Sequence, residues 1–349
     1  MHSELPIKPL LLKLAALLIS IVLSLAVIEI AVRLIPEKKP ARVDRPLFRT
    51  ALMPYNLLGY QDFEYPLQKG QNVFRIIATG DSFTEGGYVS FEDSYPKKLE
   101  FYLNSCGNTK GTTYQVINMS RGGRSTTQEV RVIKHHAGKL KADLIILGYC
   151  LNDPEDWEEG ADYLHKLRVK CYYQISAKPE GWASFFYNHS ALARLVMKRR
   201  FNTKVKRGHI KYFHKLYRDT YPGWQKARAA LLDLGDFSRT LHIPVRVVIF
   251  PVFSYGWGDN YPFSDIHEKL HSVLEKAGLP YVDLFPDLKD MDHSSLEYIP
   301  YKDPHPSELA DRIAAEALWQ ELMRSGVTPE GKRSDTDMNG AYLAHDNPP

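Results

Sequence analysis

Cysteine is scarce: this chain of 349 residues has three, Cys106, Cys150 and Cys171. So few and so scattered, they exclude a disulfide framework or a thiolate zinc site and leave room for one pair plus a free thiol. A strong charge of either sign is also missing. The formal net charge of +4 is too small to argue for nucleic acid, and no nucleic-acid partner is expected. Internal repeats are absent, and low complexity is confined to the tail. What is there is enough apolar sequence, 44% of residues, to bury a full core in one large domain or two smaller ones.

One long apolar run stands apart. Leu10 to Ile35 is interrupted only by Lys13, Glu29 and Arg33 among charged residues, and a helix over it crosses a bilayer if Lys13 and Arg33 snorkel from its ends. Residues 1–35 are therefore expected to form a single N-terminal membrane anchor, contacting lipid through residues 10–35. Two rivals are a cleaved signal peptide, since Ser24 and Ala26 form a small-x-small pair, and a buried amphipathic helix. The apolar stretch runs on past that pair and ends in charges, which favours the anchor. Lys8 and Lys13 precede the helix while Arg33, Lys38, Lys39 and Arg42 follow it, so the positive-inside rule does not favour an outward domain. The expectation of a periplasmic or extracellular domain rests on the prior for bacterial-type anchors.

Residues 36–71 are rich in proline, basic residues and aromatics, and read as a tether and a loop packing on the domain. Val73–Thr79, Tyr114–Asn118, Leu144–Tyr149, Val245–Phe250 and Tyr281–Leu284 are too apolar for strands with one wet face. Between them lie helical patterns at about Tyr95–Asn104, Thr127–His136, Trp224–Leu241 and Ser264–Ala277, and a last one over Ser307–Met323 capped by Ser307. The alternation predicts a three-layer α/β/α sandwich around a five-stranded parallel sheet over residues 72–325, with ligands at the carboxyl ends of the strands. Residues 326–349 read as a disordered tail.

Four stretches carry chemistry. Arg75-Ile-Ile-Ala-Thr-Gly-Asp-Ser-Phe-Thr-Glu-Gly86 is a strand running into a helix start, a turn that holds Ser82 outward as a nucleophile would be held. Gly-Asp-Ser alone is also an ordinary turn and cap. Gly122-Gly123, in Val116-Ile-Asn-Met-Ser-Arg-Gly-Gly-Arg-Ser-Thr126, lets backbone N–H groups face a cleft and meet an oxyanion. Ile146-Leu-Gly-Tyr-Cys-Leu-Asn-Asp153 ends a strand with Asn152, whose amide can donate to the same charge. In Tyr301-Lys-Asp-Pro-His-Pro-Ser307, prolines flank His305 in what reads as a rigid loop, with Asp303 near enough to orient the ring.

Gly80-Asp81-Ser82, a glycine near 123, Asn152-Asp153 and Asp303-Pro-His305, in that order, resemble the SGNH (GDSL-type) hydrolase family over roughly Tyr60 to Met323. The membrane-anchored bacterial branch is the most similar, with Gly59-Tyr60 upstream and a Gly-Asp-Ser-Phe-Thr block. The resemblance implies a flavodoxin-like sandwich and assigns Ser82 as nucleophile and N–H donor, with Gly123 and Asn152 completing the oxyanion hole. His305 is implied as base and Asp303 as its partner, with no metal or organic cofactor. Three departures stand: Cys150 replaces a frequent glycine, the acid lies two residues before the histidine rather than three, and Gly122 competes with Gly123. The implied activity is hydrolysis of O-acyl, chiefly acetyl, esters of a carbohydrate or cell-envelope component. An acylated small molecule or glycan is the expected substrate. Transfer of the acyl group to a sugar hydroxyl, or a vestigial site in an envelope-binding protein, are the alternatives.

Two further features compete for attention. His267-Glu-Lys-Leu-His271 matches the H-E-x-x-H pattern of zinc proteases, but its helix is short and sequence offers no persuasive third ligand. Residues 154–222 form a long insertion, acidic at Glu155-Asp-Trp-Glu-Glu159 and basic from Arg194 to Arg218. It is expected to be helical, to lid the cleft, and to contact anionic lipid or an acidic polymer through residues 194–218.

Overall fold

The computed structural model describes residues 7–35, 53–106, 108, 110–155, 179, 181–253, 261–299 and 303–330. The chain divides into two compact units, one of residues 1–42 with 166–209 and one of residues 43–165 with 210–349.

In the first unit, α1 (Ile7–Leu34) is a single helix of 28 residues; within its 26-residue apolar part, Pro9–Leu34, an 18-residue window reaches a mean hydropathy of 2.7 with none of it buried. At about 1.5 Å per residue that part is some 39 Å long, more than the roughly 30 Å of a bilayer's hydrocarbon. Length and composition thus fit a single-pass anchor or a signal sequence. Glu29, an expensive residue in such a helix, has a specific use. Its carboxylate accepts from Ser190 Oγ at 2.8 Å and from the backbone N–H groups of Ala191 and Leu192 at 2.7 and 2.9 Å. These are orphan donors at the start of the helix Ala191–Leu216, which a carboxylate is suited to cap. Arg33 donates to Glu29 at 2.8 Å and to the His189 carbonyl at 3.0 Å. The insertion is helical as expected over Trp182–His189 and Ala191–Leu216. Its acidic beginning lies mostly outside the described residues, as do Cys171 and the link from 36 to 52.

The second unit is built on β1 (Val73–Thr79), β2 (Thr113–Asn118), β3 (Leu144–Cys150), β4 (Val245–Phe250) and β5 (Tyr281–Asp283), all parallel, in the order β2-β1-β3-β4-β5. Alternate residues feed two cores. Ile77, Ile145, Leu147 and Ile249 pack under the helices Thr126–His136, Pro222–Leu241 and Ser264–Ala277; Ile76, Ala78, Ile146 and Val248 pack under Tyr95–Ser105 and Glu308–Ser325. The fold is therefore a three-layer α/β/α sandwich. Its strand order reverses between β1 and β3, where crossovers leave in opposite directions and open a crevice at the carboxyl ends. Tyr60 is buried in the first core, so the loop before β1 packs on the domain as expected.

The helix that starts after β1 is one turn, α2 (Ser82–Glu85), ended by Gly86 in the left-handed region at φ 71°. Two expectations are corrected. His305 lies not in a loop but on a short strand, β7 (Asp303–Pro306), paired antiparallel with β6 (Glu297–Ile299). Such short strands leave no readable period. The tail does not begin at Gly326, which caps the last helix; Thr328 and Glu330 beyond it are buried. Tyr301, Lys302 and residues 331–349 lie outside the described residues. Cys106 and Cys150 are free thiols.

Candidate active site

The crevice holds a continuous chain of hydrogen bonds. Asp81 caps α2, its Oδ1 accepting the Phe83 N–H at 2.9 Å, and this leaves Ser82 as the first helical residue. Ser82 Oγ lies 2.9 Å from His305 Nε2 across 223 positions of sequence. His305 Nδ1 in turn lies 2.5 Å from Asp303 Oδ1. An ionised carboxylate only accepts, so Nδ1 carries the proton and Nε2 is left to accept from the serine hydroxyl.

The two-residue spacing of acid and histidine has a simple basis. Residues i and i+2 of a strand share a face, so β7 sets Asp303 and His305 side by side. The same Asp303 oxygen also accepts the His305 backbone N–H at 3.2 Å. Burial raises the Asp303 carboxyl, but its hydrogen bonds and charge interaction with His305 more than offset this and hold it below its ordinary range. β7 is anchored through Ser307, whose N–H donates to the Leu296 carbonyl and whose Oγ donates to the Ser295 carbonyl. The same Oγ caps the last helix at Ala310.

Gly122 and Gly123 are separated by the structure. Gly122 sits against Ser82: a Cβ there would lie 3.5 Å from Ser82 Cβ and 3.1 Å from Glu85 Oε2. Its N–H is committed to Glu85 Oε2 at 2.9 Å. Gly123 adopts φ 77°, which favours glycine, with open space beside it. Among the described residues, no hydrogen bond engages its N–H. Asn152 follows β3 and reaches back to the nucleophile turn, Nδ2 donating to Asp81 Oδ2 at 3.3 Å, with a second amide hydrogen to spare. Cys150, at the place where the family often has glycine, is the buried last residue of β3.

Sequence reasoning missed several neighbours. Tyr88 stacks on the His305 ring with centroids 3.8 Å apart and 18° between planes, and Phe83 stands at 5.4 Å. Both pack against the imidazole and orient it. Asn118, the last residue of β2, donates Nδ2 to the Thr84 carbonyl at 3.0 Å and so ties α2 to the sheet. Beneath the turn, Glu129 and Asp153 are fully buried carboxyls. Burial first, then neighbouring carboxylates including Asp81, pushes both well above their ordinary range. Thr126 Oγ1 donates to Asp153 Oδ2 at 3.2 Å. Tyr88 and Glu129 had no motif to announce them.

No protein-family profile matches the chain, and no curated protein matches it in sequence. Solved structures similar to it include TesA, 12% identical, covering 73% of this chain and 99% of its own, with a TM-score of 0.43. An acetylxylan esterase from Geobacillus stearothermophilus is 14% identical over 75% of this chain and 97% of its own, with a TM-score of 0.44. A putative acylhydrolase from Bacteroides fragilis is 14% identical over 84% of this chain and all of its own, with a TM-score of 0.40.

Proposed function

We propose that the chain is a membrane-tethered serine hydrolase of the SGNH (GDSL) type, acting on O-acyl, chiefly acetyl, esters of a carbohydrate or cell-envelope component. The observation that carries this reading is the Ser82–His305–Asp303 chain of hydrogen bonds at the carboxyl end of β1. His305 takes the Ser82 proton as Oγ attacks the ester carbonyl, then returns it to the leaving alcohol. Asp303 keeps the imidazole in the required tautomer and stabilises the imidazolium. The N–H groups of Ser82 and Gly123 and the Asn152 amide receive the oxyanion; losing one such donor typically costs on the order of 100-fold or more in rate. Water then releases the acyl group by the same proton path in reverse. These steps use only the chain's own groups.

The tether is α1, and the unit it belongs to supports a membrane surface. Trp182, Phe185 and Phe186 are exposed on the helix Trp182–His189, next in sequence to Arg194, Lys198, Arg199 and Arg200. Exposed aromatics beside cations suit the headgroup region of an anionic leaflet. The domain is assigned to the periplasmic or extracellular side, and its substrate to that compartment.

Product analysis of the full-length protein in detergent, given acetylated oligosaccharides, tests the reading. Free acetate is expected from the natural chain and none from Ser82→Ala. Acetate that appears only on an added glycan acceptor would make the same site a transferase; acetate release by Ser82→Ala would end the proposal.

A further inference from the structure

The His267-Glu-Lys-Leu-His271 stretch plays no part in the ester chemistry, and the structure gives it the third group that sequence did not offer. It lies on the helix Ser264–Ala277, where a spacing of four puts both imidazoles on one side. Asp283, the last residue of β5, brings Oδ2 to 2.7 Å from His267 Nδ1 and 2.7 Å from His271 Nε2. The three candidate donor atoms lie within 4.8 Å of one another. Asp283 Oδ1 is occupied by the Phe285 N–H at 3.0 Å, which fixes the carboxylate and turns Oδ2 to the rings.

The surroundings are those of a built site. His267 Nε2, the nitrogen facing away from Asp283, lies 3.4 Å from the Tyr261 hydroxyl, and that oxygen accepts the Val252 N–H at 2.9 Å. A metal-bound histidine is held in this way by a partner on its other nitrogen. Tyr281 stacks on His271 with centroids 4.5 Å apart. The side chains of His267 and Asp283 are 4% and 9% exposed, while His271 is 26% exposed, so the pocket opens to solvent beside His271.

We propose that His267, His271 and Asp283 form a binding site for a divalent transition-metal ion of the zinc class, with water as the fourth ligand on the His271 side. Two imidazoles and one carboxylate suit zinc in tetrahedral geometry. With metal–ligand bonds of about 2.0–2.2 Å, neighbouring ligands sit about 3.3 Å apart, so binding lengthens each of the two histidine–carboxylate separations by about half an ångström. Glu268 is exposed, and no protease chemistry is assigned to the cluster. The ion's work is structural: it joins the helix Ser264–Ala277 to the end of β5, a strand of only three residues with one strand neighbour. The site shares no residue with the triad, so it stands or falls apart from the esterase reading.

Full-length protein in detergent, stripped with a chelator and titrated with zinc or cobalt, provides the test. One saturable equivalent is expected, with tetrahedral cobalt absorption bands in the visible. A rise in Tm of about 5–10 °C is expected when free zinc exceeds Kd a hundredfold. His271→Ala should abolish the binding, the bands and the rise while leaving fluorophosphonate labelling of the protein intact; Asp283→Asn should weaken binding in the same assay. Absence of saturable binding to the natural chain, or binding of the same affinity in His271→Ala, would reduce the cluster to a hydrogen-bonded packing element and overturn the proposal.

Discussion

Lys97→Met tests whether the Lys97–Asp62 pair beside the end of β2 is as dry as its geometry implies. Lys97 Nζ lies 2.8 Å from Asp62 Oδ1, with the two side chains 4% and 0% exposed. It also donates to the Val116 carbonyl at 2.6 Å and the Tyr65 hydroxyl at 2.8 Å. Removing the ammonium leaves the Asp62 carboxylate buried without a cation, a change that costs about 3–5 kcal/mol in comparable sites. Asp62 keeps donors from Phe63 N–H at 2.7 Å and Asn118 N–H at 2.6 Å, which places the expected loss near the lower end, about 3 kcal/mol. For a domain of this size that lowers Tm by roughly 6–12 °C. Thermal unfolding of the full-length protein, followed by tryptophan fluorescence in one detergent and buffer, reads the shift. The double variant Asp62→Asn, Lys97→Met should recover part of the loss, because the fully buried Asp62 charge goes with its cation and only the partly exposed Glu100, 3.5 Å from Lys97 Nζ, is left without its partner. A fall of less than about 2 °C would mean that water reaches the pair, as at a surface bridge worth about 0–1 kcal/mol, and would refute the reasoning.

Other consequences are as direct. Glu129→Gln removes a carboxyl that burial raises well above its ordinary range. Such a group holds a proton in the folded state that the unfolded chain releases above about pH 4.3, so stability falls as pH rises towards the raised value. The variant should flatten the decline of stability as pH rises above about 4.3, by up to about 1.4 kcal/mol per pH unit; an unchanged slope would contradict the assignment. Gly122→Ala sets a methyl 3.1 Å from Glu85 Oε2 and 3.5 Å from Ser82 Cβ. It should lower kcat/KM about ten- to a hundredfold by displacing the turn against the nucleophile, with little change in Tm, and steady-state kinetics on p-nitrophenyl acetate measures it. Glu29→Leu makes α1 more apolar but orphans the Ser190 hydroxyl and the Ala191 and Leu192 N–H groups. A lost cap costs about 1–2 kcal/mol, so hydrogen exchange over residues 191–194 should quicken by roughly 5–30-fold.

Much of this architecture was legible in the sequence because parallel strands buried on both faces are written as unbroken apolar runs. Val73–Thr79 and Val245–Phe250 stand in the structure as read, and the other three strands differ by a residue at an end. The meeting of Ser82, His305 and Asp303 was legible for a different reason: the three occur in short blocks whose order is distinctive. What escaped was everything whose signal is spatial. Nothing near Tyr88 in sequence points to His305, more than 200 positions later, yet the rings stack. Asp283 had no visible link to the two histidines until the end of β5 was set beside their helix. Glu29 read as an interruption of an apolar run, whereas its carboxylate is a cap for a helix beginning at residue 191. β6 and β7 were illegible because three or four residues carry no period, and the one-turn length of α2 followed from Gly86, which sequence reading passed over.

The central claim is that Ser82 is a nucleophile activated by His305. Mass-spectrometric mapping of the detergent-solubilised full-length protein after fluorophosphonate treatment tests it most directly. A single phosphonylated peptide carrying the adduct on Ser82 is predicted, lost in Ser82→Ala and strongly slowed in His305→Ala. An adduct on another residue, or labelling of Ser82→Ala at the natural rate, would contradict the account.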